Sequence, residues 1–454
     1  MVCSRMSSYS EQKAEDLFLG RHRTVSDYER SARDWAEHMV HSDAHPRSYK
    51  TTEELREVAR HRLILMATSK NPDIRNAVAS KAIDVFNEAL GNPHGRRSEY
   101  AAESLRMLSN CSEEICLAMV AKKVIGNLVN IGRRSVTSAE SVAAMGTLHH
   151  LTCGKGKDVI LEVLRCGGVD VFLNFIHAKQ MGHYAFAGLA HLVVHCSDEE
   201  KLNLAKDRGA IDMCVKAFRT DRFKKTGNTS KLNAIECIRN FICDARQDVI
   251  DILYEKRAIQ ILLDIAKYDN DPMFLRAAIQ GLYFACVDGD DEFKQMLVAK
   301  HDLVGIMKFH VLNNGDDKIV KRAVQVFAGL ASGGEVTKSV LLENGLIESL
   351  LERAEYQYKN DYVKYAQAVG VVLLNMSKTK DDNNIKLFLE RGAKGLAVRT
   401  QVYLVRRAAA TVAAAATTKY YIDQSKQAVS NISTLEKSQR EIEKIEAGMQ
   451  MMHP

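Results

Sequence analysis

The stretch LLENGLIESLLERA, residues 341–354, sets Gly345 between two apolar runs: Leu341 and Leu342 before it, and Leu346, Ile347, Leu350 and Leu351 after it at helical spacing. A glycine there permits a sharp turn with positive φ, and the apolar run behind it opens a helix. The phrase recurs. Aligned on its opening position it reads KVIGNLV at Lys123, GGVDVFL at Gly167, GAIDMCV at Gly209, RAIQILL at Arg257, HDLVGIM at His301, GLIESLL at Gly345 and GAKGLAV at Gly392. Successive spacings are 44, 42, 48, 44, 44 and 47 residues. A period in this range is the signature of a stacked helical repeat, each unit two or three helices long. Lys123, Arg257 and His301 stand where the other units have glycine, so the turn does not strictly require it.

Ahead of each opening lies an alanine-rich helix: AAESLRMLSN, AAMGTLHHLT, AFAGLAHLVV, AIECIRNFIC, AAIQGLYFAC, AVQVFAGLAS and AVGVVLLNMS. Small and large apolar side chains at three- and four-residue spacing share one face, which lets neighbouring helices approach closely. Between Pro93 and Pro454 the only proline is Pro272, which follows Asn270 and Asp271 and suits the start of a helix. One such unit cannot bury both its apolar faces, and stacking supplies the missing neighbour. The phrase is structural punctuation.

Pairing an A-x-x-L-x-x-L helix with a G-x-I-x-x-L-L helix about fifteen residues later, the chain resembles the armadillo-repeat family. The resemblance covers residues 53–420, with an earlier unit in NPDIRNAVASKAIDVFNEAL and a last one in VYLVRRAAATVAAAATTKYY, about eight units in all. It implies an all-α, right-handed superhelical solenoid whose last helix of each unit lines a concave groove that holds extended peptides or partner helices. Residues 1–52 are expected to form a helical arm or cap, and residues 421–454 a C-terminal helical cap or tail, with Ile432, Leu435, Ile442 and Ile445 at helical spacing.

The composition agrees with a folded array: 454 residues, 46% hydrophobic and 26% charged, exceed what one compact core holds. A net charge of +6, with both signs mixed along the chain, gives no broad basic field, so nucleic acid is disfavoured as a partner. The 10 cysteines stand singly in apolar segments with no CxxC pair, as in a reduced intracellular protein. No segment approaches the roughly 18 apolar residues of a membrane span, and no leader is evident, so a soluble protein of the cytoplasm, with the nucleus also open to it, is expected.

Candidate chemistry is sparse. HHLTC and HLVVHC bring His149, His150 and Cys153 into one unit and His191, His195 and Cys196 into the next. Of these His150, Cys153, His195 and Cys196 are weak candidates for a metal, although Leu192 stands where HExxH requires glutamate; the other reading is core and groove histidines. CGKGKD at 153–158 lacks the spacing of a phosphate loop, and VDGDDEF lacks the twelve-residue calcium pattern. No nucleophile elbow or protease signature appears. The chain reads as no enzyme, with no cofactor.

Nuclear-import adaptors of the armadillo family carry a tryptophan and asparagine ladder on the alanine-rich helix. Here Trp35 lies outside the repeats and only Asn110 matches the asparagine, which disfavours that role. At or next to the tryptophan position stand Arg106, His149, His191, Arg239 and Tyr283. Arginine and histidine along a groove suit an acidic or phosphorylated segment of a partner protein; ordinary solvated positions are the competing reading. RTDRFKKTGNTSK at 219–231 and the tyrosines of YQYKNDYVKY are expected to protrude as loops. The expectation is a non-catalytic scaffold or adaptor. SEYAAESLRMLSNCSEE and the charged tail also resemble the armadillo region of the UCS myosin chaperones, which implies a co-chaperone as the alternative.

Overall fold

The computed structural model describes residues 24–40, 52–91, 96–178, 181–219, 227–360, 362–410 and 415–452. Among them the regular elements are all helical. Each repeat is a trio: Ala139–Thr152, Lys157–Arg165 and Gly168–Phe175 form one, and Pro272–Asp288, Asp291–His301 and Leu303–Asn313 another. The sequence displays the first and third helices of each trio, because both carry long apolar stripes. The middle one buries only a few side chains, such as Val159, Ile160 and Val163, and leaves a weaker mark.

The turn between the second and third helices is left-handed in unit after unit. Gly167, Gly209, Gly345 and Gly392 have φ of 84°, 65°, 70° and 88°, and Lys123 and Arg257 adopt 60° and 62° in the same place. The geometry is therefore kept where glycine is not, at a cost of about 1 kcal/mol for each side chain held there. In the sixth unit the left-handed residue is Asp302 (φ 51°) rather than His301, which moves that opening by one residue. Asp302 offsets part of the strain by accepting the Gly305 N–H with its own carboxylate, at 3.2 Å. At Gly167 a Cβ would stand 2.1 Å from Arg133 Nη2, so a side chain there would have to displace the Arg133 guanidinium as well as accept the left-handed φ.

Close stacking explains the alanine. A Cβ on Gly329 would lie 2.8 Å from Cys286 Cβ, so the helices Asp317–Ala331 and Pro272–Asp288 meet almost backbone to backbone. Pro272 occupies the first turn, and Asp271 caps it by accepting the Met273 N–H at 2.8 Å. Buried and surface polar bonds tie each repeat to the next: His310 Nε2 to Ala266 O at 2.6 Å, Lys201 Nζ to Cys243 O at 2.6 Å, and ion pairs of Lys256 with Asp212 and of Arg391 with Glu348.

The chain divides into two compact units, residues 1–197 with 219–237, and residues 198–218 with 238–454. In the first, helix Val25–Val40 buries Ala32, Ala36 and Met39 and packs on Thr52–Ala67. In the second, helix Ala415–Met452 runs through the expected boundary at 420/421. It packs on Val363–Met376 and Ala393–Ala410, with Ala428 and Ile432 fully buried and Asn431 Nδ2 donating to Ser377 Oγ at 3.1 Å. The side chains of Ile442 and Ile445 lie outside the described residues.

The two expected loops fare differently. Residues 220–226 lie outside the described residues, and Gly227–Ile242 is helical. The tyrosine segment does not protrude as a loop: helix Leu346–Lys359 is longer than the third helices of the preceding repeats and absorbs most of the extra residues. Tyr365 is buried and donates to Leu350 O at 2.9 Å, while Tyr358 stacks on Tyr403 with centroids 4.6 Å apart. No single described helix is long and apolar enough to cross a membrane; the apolar pair Glu113–Ala121 and Val124–Gly132 is bent by 82° and buries Ile115, Met119, Val124 and Leu128.

Candidate partner-binding site

Buried side chains three residues apart fix the register of the alanine-rich helices: Leu105 with Leu108, Leu148 with Leu151 and Leu189 with Leu192 in the first unit, and Leu282 with Ala285, Phe327 with Leu330 and Leu373 with Met376 in the second. The residue after the first member of each pair is then equivalent from repeat to repeat. Arg106, His149, Arg239 and Tyr283 all occupy this position. In the third alanine-rich helix the position belongs to Ala190; His191 lies one residue further, in register with His150, and is exposed. Asn110 falls in the turn beyond helix Arg96–Ser109, also exposed, with its N–H donating to Met107 O at 3.2 Å.

In the first unit, Arg106 extends across the next alanine-rich helix, where a Cβ on Gly146 would stand 3.2 Å from its Cδ. Its guanidinium lies 3.4 Å from Glu103. His149 is buried with its ring 4.9 Å from that of Tyr184, whose other neighbour is His183 at 3.9 Å. Burial, and then the neighbouring His150, His191 and His183, hold the His149 pKa down to about 4. Burial lowers His150 as well, assisted by Arg106 and Lys155. His149, expected to present positive charge in the ladder, is thus neutral at pH 7, and so is its neighbour His150. Arg106, Glu103, His149, His150 and Tyr184 line, with Glu99, a cavity of about 290 Å³.

Metal-ligand geometry is not assembled: among the described residues no three histidine, cysteine, aspartate or glutamate side chains converge. Cys153 Sγ does lie 3.5 Å from His149 Nδ1, but Cys196 is buried against its own helix, 3.6 Å from Leu192 O. His195 sits in the turn after its helix, its backbone N–H donating to Leu192 O at 2.9 Å. The Gly156 turn of CGKGKD faces the Glu113 carboxylate, since a Cβ there would stand 2.3 Å from Oε1. Asp288 and Asp290 serve the backbone, accepting from Asp244 N at 2.9 Å and Phe293 N at 2.8 Å.

In the second unit Arg239 and Tyr283 come from successive alanine-rich helices; a Cβ on Gly281 would lie 3.6 Å from Arg239 Cβ. Two further residues join them: Arg322, which the sequence reading missed, and Tyr362, which it placed in a protruding loop. Burial pushes the Tyr283 phenol up while Arg322 pulls it down, and Asp288 and Tyr421 add to the rise. Burial also holds Arg322 below the usual guanidinium range, with the phenols of Tyr283 and Tyr362 opposing that effect and Arg239 reinforcing it. Tyr362 is pushed up to about 12, by burial and then by Asp317 and Asp316. Arg322 donates to Gln325 Oε1 at 3.0 Å and forms no ion pair among the described residues. It lies between one and two turns before the ladder position on its helix, so a search confined to one position per repeat passes over it.

No family model matches the chain, and no curated protein matches it. Solved structures do. An engineered protein superposes with a TM-score of 0.69 at 16% identity, covering 93% of this chain and 95% of its own. A structure from work on a conserved phosphorylation switch in the interaction between cadherin and beta-catenin superposes with a TM-score of 0.57 at 12% identity, covering 88% of this chain and 68% of that one. A designed armadillo repeat protein in complex with the peptide (KR)4 gives 0.44 at 18% identity, covering 59% and 98%. Three helices per repeat, the left-handed opening and the stacked alanine-rich helices make this an armadillo-like fold.

Proposed function

We propose that this armadillo-like array is a non-catalytic scaffold that holds a partner protein against its alanine-rich helices, and that the arginine–tyrosine cluster of the second unit engages an acidic or phosphorylated segment of that partner. One observation carries the reading: Arg322 is half-buried, without an ion pair among the described residues, beside a second guanidinium and two phenols. The half-buried Arg322 guanidinium lacks an anion that would offset its desolvation, and a carboxylate or phosphate supplies it in bidentate geometry. The likeness to the structure from the cadherin and beta-catenin work supports a protein partner.

Against catalysis stands the one thiol–imidazole contact described above. Burial raises the Cys153 pKa, and the His149 pKa of about 4 makes its imidazole a weak base at neutral pH. The pair therefore rests as thiol and neutral imidazole, without the thiolate that nucleophilic chemistry requires.

Affinity capture from native extract tests the proposal, comparing wild type with an Arg239→Glu, Arg322→Glu variant of unchanged circular dichroism. A partner held by wild type alone, and lost after phosphatase treatment or when its acidic segment is deleted, is the expected result. Equal capture by both proteins refutes the assignment of the cluster.

A further inference from the structure

Beside the ladder of the second unit, cations from three helices gather at one spot. Asn375 Nδ2 donates to Ala328 O at 3.0 Å and fixes the register of helices Asp317–Ala331 and Val363–Met376, which sets Lys364 about one turn from Lys321. On the other side, the close approach of Gly329 to Cys286 sets Arg322 about one turn from Tyr283, and Arg239 stands against Gly281 of that same helix. Lys321 and Arg322 are half-buried and Lys364 is exposed. None of these three forms an ion pair among the described residues. Burial, then Arg322 and Lys364, depress the Lys321 pKa, as expected of cations held together without an anion. The acids nearby are engaged elsewhere: Asp316 pairs with Arg276, and Asp317 accepts from Gln357 Nε2 at 3.1 Å. The phenols of Tyr283 and Tyr362, both pushed up, keep their protons at neutral pH and can donate them in hydrogen bonds.

The place of the charge bears on the shape of the ligand. An extended segment lying along the alanine-rich helices meets one ladder position per repeat, but on these two helices that position holds Ala328 and Leu374. Lys321, Arg322 and Lys364 precede it by 7, 6 and 10 residues, which is about 9 Å or more toward the helix N-termini. We propose that this off-ladder cluster binds a compact polyphosphate, a cyclitol polyphosphate or a nucleoside triphosphate, with Lys321, Arg322 and Lys364 on its phosphates and the Tyr283 and Tyr362 hydroxyls donating to phosphate oxygens. Several phosphates on one small frame bring to a single spot the charge that an isolated carboxylate cannot supply. The proposal rests on the reading of this cluster as an anion site and adds a small ligand to the partner's segment as an occupant.

Titration calorimetry of the full chain tests it, with inositol hexakisphosphate, ATP, inorganic phosphate and a blocked glycine–serine peptide carrying two widely spaced phosphoserines as probes. One molecule of hexakisphosphate or ATP should bind per chain, with inorganic phosphate at least about tenfold weaker. Affinity should fall at least about tenfold in a Lys321→Gln, Lys364→Gln variant of unchanged circular dichroism, and hold in Lys386→Gln, Lys437→Gln, which removes two exposed lysines elsewhere in the unit. The tighter of the two polyphosphates identifies the source, cyclitol or nucleotide. No saturable heat with either overturns the proposal. An equal loss in both double variants does so as well, by showing general attraction to a basic surface. So does a peptide that binds more tightly than both polyphosphates, since the cluster would then serve an extended segment. Partner capture is read separately with Arg239→Glu, Arg322→Glu, so capture that persists without polyphosphate binding removes this proposal alone, and polyphosphate binding without capture removes the scaffold reading alone.

Discussion

Acidification should loosen the first unit through His149, and the size of the effect follows from its surroundings. The side chain is 9% exposed, packed beside Tyr184 and Cys153. Its pKa falls from 6.5 to about 4, first through burial and then through His150, His191 and His183. In the unfolded chain the imidazole takes up its proton as pH falls through about 6.5, while the folded one resists until about 4. Stability is therefore unaffected by this group at neutral pH and above, declines through that interval, and is lower by about 3 kcal/mol once both states are protonated. His150 and His183, also lowered by burial, act in the same direction. A long repeat array does not unfold in one step, so the readout must be local. Imidazole titration by NMR should place His149 far below its neighbours on exposed surface. Hydrogen exchange in helix Ala139–Thr152, corrected for intrinsic rates, should lose protection between about pH 6.5 and about pH 4 in wild type and much less in His149→Leu. A His149 that titrates near 6.5 would show that its burial does not exclude the proton, and would restore the positive ladder read from the sequence.

Lys123→Gly and Arg257→Gly should each stabilise the array by about 1 kcal/mol by releasing left-handed strain, whereas Gly167→Ala should destabilise it through φ, with displacement of the Arg133 guanidinium a lesser contribution; local hydrogen exchange reads both signs. His310→Leu removes the bond to the Ala266 carbonyl, which is buried between repeats, at a cost of about 1–3 kcal/mol, and the loss of protection should be confined to helices Ala258–Tyr268 and Leu303–Asn313. Burial alone would raise Glu335, but hydrogen bonds from Thr379, Asn384, Lys338 and the Lys380 N–H outweigh it and bring the pKa to about 2. Its contribution is present above about pH 4.5 and disappears as pH falls through about 2, so Glu335→Gln should weaken the packing of helices Glu335–Glu343 and Asp382–Glu390 at neutral pH and flatten the acid limb of an unfolding-versus-pH curve.

The repeat was legible because its strongest constraints are local. Gly345 and its equivalents mark a required φ, and the alanine-rich phrases mark a required helix spacing, so both leave residue types at a fixed period. The one-residue error at His301 arose because Asp302 achieves the same φ with a self-capping carboxylate, a solution with no glycine to see. The tyrosines of 356–365 were misjudged for a related reason. An extra length of chain reads as a loop by default, but lengthening helix Leu346–Lys359 buries Tyr365 and stacks Tyr358 instead.

Charge at the candidate sites was not legible, because it depends on what each polar group meets across helices. Arg106 and His149 share a ladder position with Arg239, yet Glu103 offsets Arg106 and burial discharges His149, while Arg239 has Arg322 brought beside it from another repeat. The same position is thus offset by Glu103 at Arg106, uncharged at His149, and set beside a second guanidinium at Arg239. Backbone register repeats because helix packing repeats, whereas electrostatic character varies with the side chains that each repeat supplies to its neighbours.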